Sequence, residues 1–195
     1  MIKARPAVFL DRDGTINEQM GYINHLDRFI MLPGVDRAVS RLNEAGLPVV
    51  VVSNQSGVAR GYFPEELVNR VNEMMVELLA RAGARLDAVY YCPHHPRAEV
   101  AAYRRECDCR KPKPGLLLRA AADLGLDLTR SFAVGDRTSD LKAARAVGAK
   151  AILVLTGYGR GEREYVLPHQ DVRPDWVAED LMSAVEWILS GPDRA

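Results

Sequence analysis

Short apolar runs alternate along this chain with segments in which apolar residues recur every three or four positions. The short runs have the length of buried β-strands, and they occupy residues 7–10, 48–52, 88–91, 131–134 and 151–155. The periodic segments predict one helix after Gly34 and two that begin near Pro64 and Pro114. They also predict a helix capped by Thr138 and a last helix over 179–189. We therefore predict an α/β fold, with a Rossmann-like three-layer α/β/α arrangement around a parallel sheet.

Two stretches interrupt this alternation. Residues 92–113 contain all three cysteines and predict a small loop insert, not a second domain. Because 195 residues are about the length of one domain, we expect a single domain over residues 1–195. Residues 157–174 are rich in glycine and charge, which predicts a loop.

Charge and hydropathy exclude several classes of partner. The chain has 26 Lys and Arg against 26 Asp and Glu, so no net charge attracts it to nucleic acid or to an anionic membrane. Its longest apolar stretch, 47–52, is far shorter than the roughly 20 residues that cross a bilayer. The apolar run after Lys3 and Arg5 is too short for a secretory signal, and an odd number of cysteines suits a reducing compartment. We expect a cytoplasmic protein without nucleic-acid or membrane partners.

Polar side chains follow the predicted strands, at the edge where parallel sheets bind ligands. They are Asp11, Asp13, Ser53, Asn54 and Asp136. Taken alone, the DRDGT string at 11–15 is equally typical of a polar turn. An EF-hand calcium loop is excluded, because Ile16 and Tyr22 stand where that loop needs glycine and glutamate.

The cysteines of the insert, together with one histidine, form a set that suits tetrahedral Zn²⁺. The four candidate ligands are Cys92, His94, Cys107 and Cys109. His95 is an alternative to His94, and the alternatives to zinc are three buried thiols or a redox pair at Cys107 and Cys109. Because four protein ligands leave no position for water, we expect a structural site that shapes the loop carrying Arg110 and Lys111.

The combination of these motifs resembles the haloacid dehalogenase (HAD) superfamily of phosphotransferases. It comprises DxDGT after the first strand, a hydroxyl at Ser53, Lys111, and Gly135 with Asp136 after a later strand. Longer strings resemble the sugar bisphosphate phosphatases of its histidinol-phosphatase-like subfamily, and they lie at 9–17, 51–63, 90–96, 107–115 and 134–144. The resemblance implies a monomeric enzyme of the HAD fold that lacks a large cap domain.

By this resemblance, each polar residue at the strand ends has a role in phosphoryl transfer. Asp11 is the nucleophile that forms an aspartyl phosphate, and Asp13 is the acid that protonates the leaving oxygen and then activates water. Ser53 hydrogen-bonds the phosphoryl group, and Lys111 balances its charge. Mg²⁺ is held by Asp11, by Asp136 and by Asp13 through its backbone carbonyl.

The resemblance also implies the substrate contacts. They are Gln19, Met20, Gly21, Tyr22, Ser53, Asn54, Gln55, Ser56, Arg110 and Lys111. Arg110 suits a second phosphate because its planar fork binds two oxygens at once. Lys113 is an alternative to Lys111, and Asp140 is either a neighbour of the metal ligands or a charge at a helix N-terminus.

The implied reaction is the Mg²⁺-dependent hydrolysis of the C7 phosphate of D-glycero-D-manno-heptose 1,7-bisphosphate. The product, heptose 1-phosphate, would serve nucleotide-activated heptose and lipopolysaccharide biosynthesis, while the preferred anomer stays open. One alternative is a histidinol-phosphate phosphatase, which shares the carboxylates and the zinc loop. A non-enzymatic, zinc-dependent nucleic-acid-binding module is disfavoured, because the basic residues of 103–113 are concentrated beside the expected active site instead of spreading over a face.

Overall fold

A sheet of six parallel strands forms the centre of the computed structural model, which describes residues 4–191. The strands are β1 Val8–Leu10, β2 Val49–Asn54, β3 Ala88–Cys92, β4 Phe132–Gly135, β5 Lys150–Val154 and β6 Trp176–Ala178. Their order across the sheet is β3-β2-β1-β4-β5-β6. The predicted parallel sheet is therefore confirmed, with one more strand than the sequence indicated.

Helices connect these strands. They are α1 Val35–Glu44, α2 Glu65–Arg81, α3 Gly115–Leu124, α4 Thr138–Arg145, α5 Gly159–Gly161 and α6 Leu181–Leu189. Shorter 3₁₀ turns occupy Leu26–Arg28, Ala101–Tyr103, Leu128–Arg130 and Leu167–His169, and a π-helical turn occupies Glu162–Val166. None of the helices described between residues 4 and 191 has both the length and the hydropathy of a membrane span.

The two faces of the sheet are both buried, which explains why its central strands are apolar throughout. Val8 and Leu10 point to one face, where they join a core with buried residues of α1, α2 and α6. Phe9 points to the other face and packs in a core with α3 and α4. The predicted three-layer arrangement follows from this alternation.

The connection between β5 and β6 differs from the prediction. The expected loop over 157–174 instead contains α5, the π-helical turn and a 3₁₀ turn, and it leads into the unpredicted strand β6. Three residues are too few to show a period, and Trp176 of β6 is exposed, so this strand lacks the apolar signal of its neighbours.

Two helix starts also differ. Thr138 is the first residue of α4 and not its cap, because Arg137 occupies the cap position. The last helix begins at Leu181, where the side chain of Asp180 accepts a hydrogen bond from the backbone N–H of Ser183. Residues 1–3, which include the Lys3 of the signal-peptide argument, and residues 192–195 lie outside the described residues, and the single domain over 1–195 stays a prediction.

Candidate active site

The candidate site lies where the strand order reverses. β1 is flanked by β2 on one side and β4 on the other, so the connections that leave them diverge and open a cleft at their carboxyl ends. This cleft is a cavity of about 230 Å³. Its lining comprises Asp11, Asp13, Gln19, Gly21, Tyr22, Ile23, Asn54, Gln55, Ser56, Arg110, Lys111, Arg137, Ser139 and Tyr158.

Three carboxylates and one lysine form a buried group that we call the strand-end cluster: Asp11, Lys111, Asp136 and Asp140. Oxygens of the three carboxylates lie within 4.8 Å of one another. The Nζ of Lys111 is 2.9 Å from Asp11 Oδ1 and 2.6 Å from Asp140 Oδ1. It also donates to the backbone carbonyl of Val52 at 2.8 Å. The predicted lysine thus lies beside the predicted nucleophile, and Asp140 contacts that lysine directly.

Lys111 reaches this position because its backbone is fixed by β2. The side-chain amide of Asn54 donates to the carbonyl of Lys111 at 3.0 Å and accepts its N–H at 3.1 Å. Asn54 therefore joins the insert to the sheet, besides lining the cavity as predicted. The alternative lysine, Lys113, is half-exposed, and its Nζ lies 3.6 Å from Asp108.

Burial and charge shift the titration of the strand-end cluster. Burial, reinforced by the negative charge of Asp140, raises the pKa of Asp11 to about 6 although Lys111 opposes this. Burial and the charges of Asp11 and Asp140 raise the pKa of Asp136 to about 8. Burial lowers the pKa of Lys111, but the two carboxylates outweigh it and leave that pKa raised. Three carboxylates therefore share one cation.

This charge imbalance is a favourable environment for a divalent cation. Asp136 Oδ1 is buried and has no hydrogen-bond partner, while Asp136 Oδ2 accepts the backbone N–H of Tyr158 at 2.8 Å. Gly14, at φ +87°, lies against this carboxylate, and a Cβ there would stand 2.1 Å from Asp136 Oδ2. An unpartnered carboxylate oxygen beside Asp11 fits the oxygen-ligand preference of Mg²⁺.

Asp13 has the opposite environment from Asp11. Its carboxylate receives the Arg12 guanidinium at 3.0 Å, the Asn17 amide at 3.0 Å and the Gln55 amide at 2.7 Å. Burial raises the pKa of Asp13, but Arg12 and these hydrogen bonds outweigh it and leave that pKa below its usual value. Arg12 is itself buried, and its guanidinium also donates to Asn72 of α2 at 2.9 Å. Neighbouring carboxylates of one loop thus have pKa values shifted in opposite directions.

The predicted substrate contacts are mostly brought together. Gln19, Gly21 and Tyr22 line the cavity from one side. Ser53 does not line the cavity: it is buried, and its Oγ accepts the amide of Gln55, which does line it, at 2.6 Å. Met20 does not belong to the lining either, and its backbone carbonyl accepts the N–H of Tyr22 at 2.9 Å.

Among the cavity residues that the sequence argument missed are Arg137, Ser139 and Tyr158. The Cζ of Arg137 lies 4.4 Å from the ring centroid of Tyr158. Arg137 directly follows Asp136, so a search of the residues after β4 would have found it. Tyr158 carried no such signal, because its segment was predicted to be a loop.

The insert brings its four candidate ligands together, and we call Cys92, His94, Cys107 and Cys109 the insert cluster. The sulfur of Cys109 is 3.1 Å from that of Cys92 and 3.2 Å from that of Cys107, and it is 3.3 Å from His94 Nδ1. Donors around one tetrahedral zinc stand roughly 3–4 Å apart, so this set fits the ion. His95, the alternative, instead lies beside Arg60.

Comparison with known proteins gives the family. Residues 108–184 match the HAD-hydrolase-like family model. The chain is 49% identical over 190 residues to the D-glycero-D-manno-heptose-1,7-bisphosphate 7-phosphatase of Thermosynechococcus vestitus, covering 95% of this chain and 96% of that protein. The chain belongs to this HAD phosphatase family. It is therefore a phosphomonoesterase, as the motifs predicted.

Other members of the heptose bisphosphate phosphatase family agree. The D-glycero-β-D-manno-heptose-1,7-bisphosphate 7-phosphatase of Escherichia coli K12 is 45% identical over 183 residues, 93% of this chain and 92% of that protein. The crystal structure of a D,D-heptose 1,7-bisphosphate phosphatase from B. bronchiseptica, complexed with magnesium and phosphate, has a TM-score of 0.83 at 36% identity, covering 95% of this chain and 98% of that one. The predicted HAD fold is confirmed.

Proposed function

We propose that this enzyme hydrolyses the C7 phosphate of D-glycero-D-manno-heptose 1,7-bisphosphate through an aspartyl phosphate. The observation that carries the proposal is the geometry of Asp11 and Asp13, which face one cavity. Asp11 lies 2.9 Å from the Nζ of Lys111 and groups with Asp136, which suits a nucleophile, and Asp13 at the same cavity suits a proton carrier. The names of the relatives support the substrate.

In the proposed reaction, a carboxylate oxygen of Asp11 attacks the phosphorus of the C7 phosphate. The bond from phosphorus to the C7 oxygen breaks, and the leaving oxygen takes a proton from Asp13. Because the surroundings of Asp13 keep it ionised in the resting protein, its proton would enter with the substrate. Asp13 then accepts a proton from the water that attacks the phosphorus, which releases phosphate and restores Asp11.

The residues around this pair stabilise the charge that develops. Lys111 lies 2.9 Å from Asp11 and would neutralise phosphoryl oxygens. The hydroxyl of Ser53 would donate to a third oxygen, with Gln55 orienting it. Asp11, Asp136 and the backbone carbonyl of Asp13 would hold Mg²⁺, which supplies further positive charge for the phosphoryl group. The insert cluster would hold Zn²⁺ in a structural role.

The second phosphate of the substrate has two guanidiniums available. Arg110 and Arg137 both line the cavity. Arg110 donates to the backbone carbonyl of His94 at 3.3 Å and forms no ion pair within residues 4–191. The nearest carboxylate oxygen of Glu162 is 4.0 Å from the Nε of Arg137. Histidinol phosphate offers no second phosphate to such a pair, so the cavity favours the bisphosphate.

The test is phosphate release with Mg²⁺ from both anomers of the heptose bisphosphate and from histidinol phosphate, with Asp11→Asn as the blank. We expect kcat/KM for one anomer to exceed that for histidinol phosphate by roughly one to two orders of magnitude, the size of a charge-assisted contact to the second phosphate. The preferred anomer would indicate which nucleotide-activated heptose the cytoplasmic enzyme serves. Faster turnover of histidinol phosphate would overturn the proposal.

A further inference from the structure

The connection from β5 to β6 is anchored on the loops that carry the catalytic carboxylates. Thr156 Oγ1 donates to the backbone carbonyl of Gly14 at 2.6 Å, and the N–H of Tyr158 donates to Asp136 at 2.8 Å. Gly157, at φ +55°, fits against the same carboxylate, and a Cβ there would lie 2.2 Å from Asp136 Oδ2. Tyr158 is therefore fixed in place by its own backbone.

Two residues of this connection also contact Arg137 and its neighbour: Tyr158 contacts the Arg137 side chain, and Glu162 contacts Thr138. The ring of Tyr158 lies under the guanidinium, with 4.4 Å between Cζ and the ring centroid. The carboxylate of Glu162 accepts the N–H of Thr138 at 2.8 Å and its hydroxyl at 2.5 Å. Glu162 thus caps α4 from outside and fixes the backbone next to Arg137.

Arg137 needs such support, because its side chain is half exposed and, within the described chain, its guanidinium has one ion-pair partner, Glu162 at 4.0 Å. A free arginine side chain loses rotamer entropy when a ligand orders it. Stacking on a ring whose backbone is already fixed lowers that loss before the ligand arrives. Lys111, in contrast, is occupied by two carboxylates and is not available to a second phosphate.

We propose that Tyr158 and Glu162 are positioning residues that hold Arg137 toward the phosphate that the enzyme does not hydrolyse, and so set its selectivity for a bisphosphate over a monophosphate. The inference rests on the proposed function. Tyr158 acts through the face of its ring, and Glu162 acts through the start of α4.

The experiment compares kcat and KM for heptose 1,7-bisphosphate and heptose 7-phosphate, which share the phosphate that is hydrolysed. In Tyr158→Leu we expect KM for the bisphosphate to rise about fivefold to tenfold, the size of a cation–π contact, with kcat and the heptose 7-phosphate values unchanged. Tyr158→Phe keeps the ring and should recover most of the loss. Tyr165→Leu, on an exposed residue of the same connection, is the matched control.

Glu162→Ala gives an independent reading, since it removes the contact to Thr138 and leaves Tyr158 intact. It should raise KM for the bisphosphate selectively, and Glu162→Gln, which keeps the hydrogen-bond acceptor, should raise it less. Melting temperatures identify any variant that fails to fold, and the remaining variants then decide the inference.

An unchanged bisphosphate preference in both Tyr158→Leu and Glu162→Ala would overturn the inference, and so would equal losses on the two substrates. A Tyr158→Phe variant as weak as Tyr158→Leu would also contradict it, because the hydroxyl and not the ring would then be responsible. Failure of the proposed function is seen separately, in a wild-type enzyme that prefers histidinol phosphate.

Discussion

The strand-end cluster and the insert cluster each gather potential metal ligands, yet the chain holds them by different means. In the strand-end cluster, Asp11 and Asp136 directly follow strands at the centre of the sheet, and Lys111 pairs with Asp11 and Asp140. In the insert cluster only Cys92 belongs to a strand, and its partners lie in irregular chain. The sheet fixes the first cluster, whereas we expect the proposed Zn²⁺ to fix the second.

We expect the strand-end cluster to carry the chemistry and the insert cluster to support the loop beside it. In the strand-end cluster the ends of β1 and β4 and the contacts of Lys111 place the carboxylates, so we expect their geometry to persist without an ion. Packed thiols offer only weak hydrogen bonds to one another, so the insert would gain its order mainly from the proposed Zn²⁺. Because Arg110 and Lys111 follow Cys109 directly, the order of the insert reaches the active site through the chain itself.

The largest expected effect is at Asp11. Replacing it with asparagine removes the proposed nucleophile while keeping the shape of the side chain, so we expect turnover to fall at least about 10³-fold. Steady-state phosphate release measures the change, and Asp171→Asn, at an exposed position, is the control. An Asp11→Asn enzyme that keeps a tenth of its turnover would show that the strand-end cluster does not perform the chemistry.

The next effect concerns the lysine that joins the two regions. Lys111→Ala leaves Asp11 and Asp140 buried without their cation, so the free energy of unfolding should fall by about 3–5 kcal/mol. Lys113→Ala, two residues away, removes a half-exposed lysine and should change it by less than about 0.5 kcal/mol. Urea unfolding of both variants checks this, and similar values for the two would contradict the assigned contacts.

A smaller effect separates two adjacent histidines. His94 belongs to the insert cluster, whereas His95 lies beside Arg60. His94→Ala should therefore lose its zinc on dialysis against a mild chelator and melt at a lower temperature, while His95→Ala should keep both properties. The measurement is the zinc content of the dialysed proteins. Zinc loss from His95→Ala but not from His94→Ala would show that His95, and not His94, is the ligand.

The sequence predicted the sheet and most of the site because parallel strands place their following residues at one edge. Asp11, Ser53 and Asp136 could be predicted as one site for that reason, because each lies at the carboxyl end of a strand. Lys111 was predicted from the CRKP string at 109–112. What the sequence missed depends on tertiary contacts without local periodicity. Tyr158 reaches the cavity through a connection anchored on Asp136, a contact that no spacing along the chain could reveal.

The most direct test is hydrogen–deuterium exchange of the backbone amides of residues 94–113. It asks whether the order of the insert depends on the insert cluster and not on the strand-end cluster. The measurement compares Cys107→Ser, which breaks the insert cluster, with Asp136→Asn, which changes a proposed ligand of Mg²⁺ in the strand-end cluster. We expect the insert to lose protection in Cys107→Ser and to keep it in Asp136→Asn. Equal loss in both variants, or full protection in Cys107→Ser, would contradict the account.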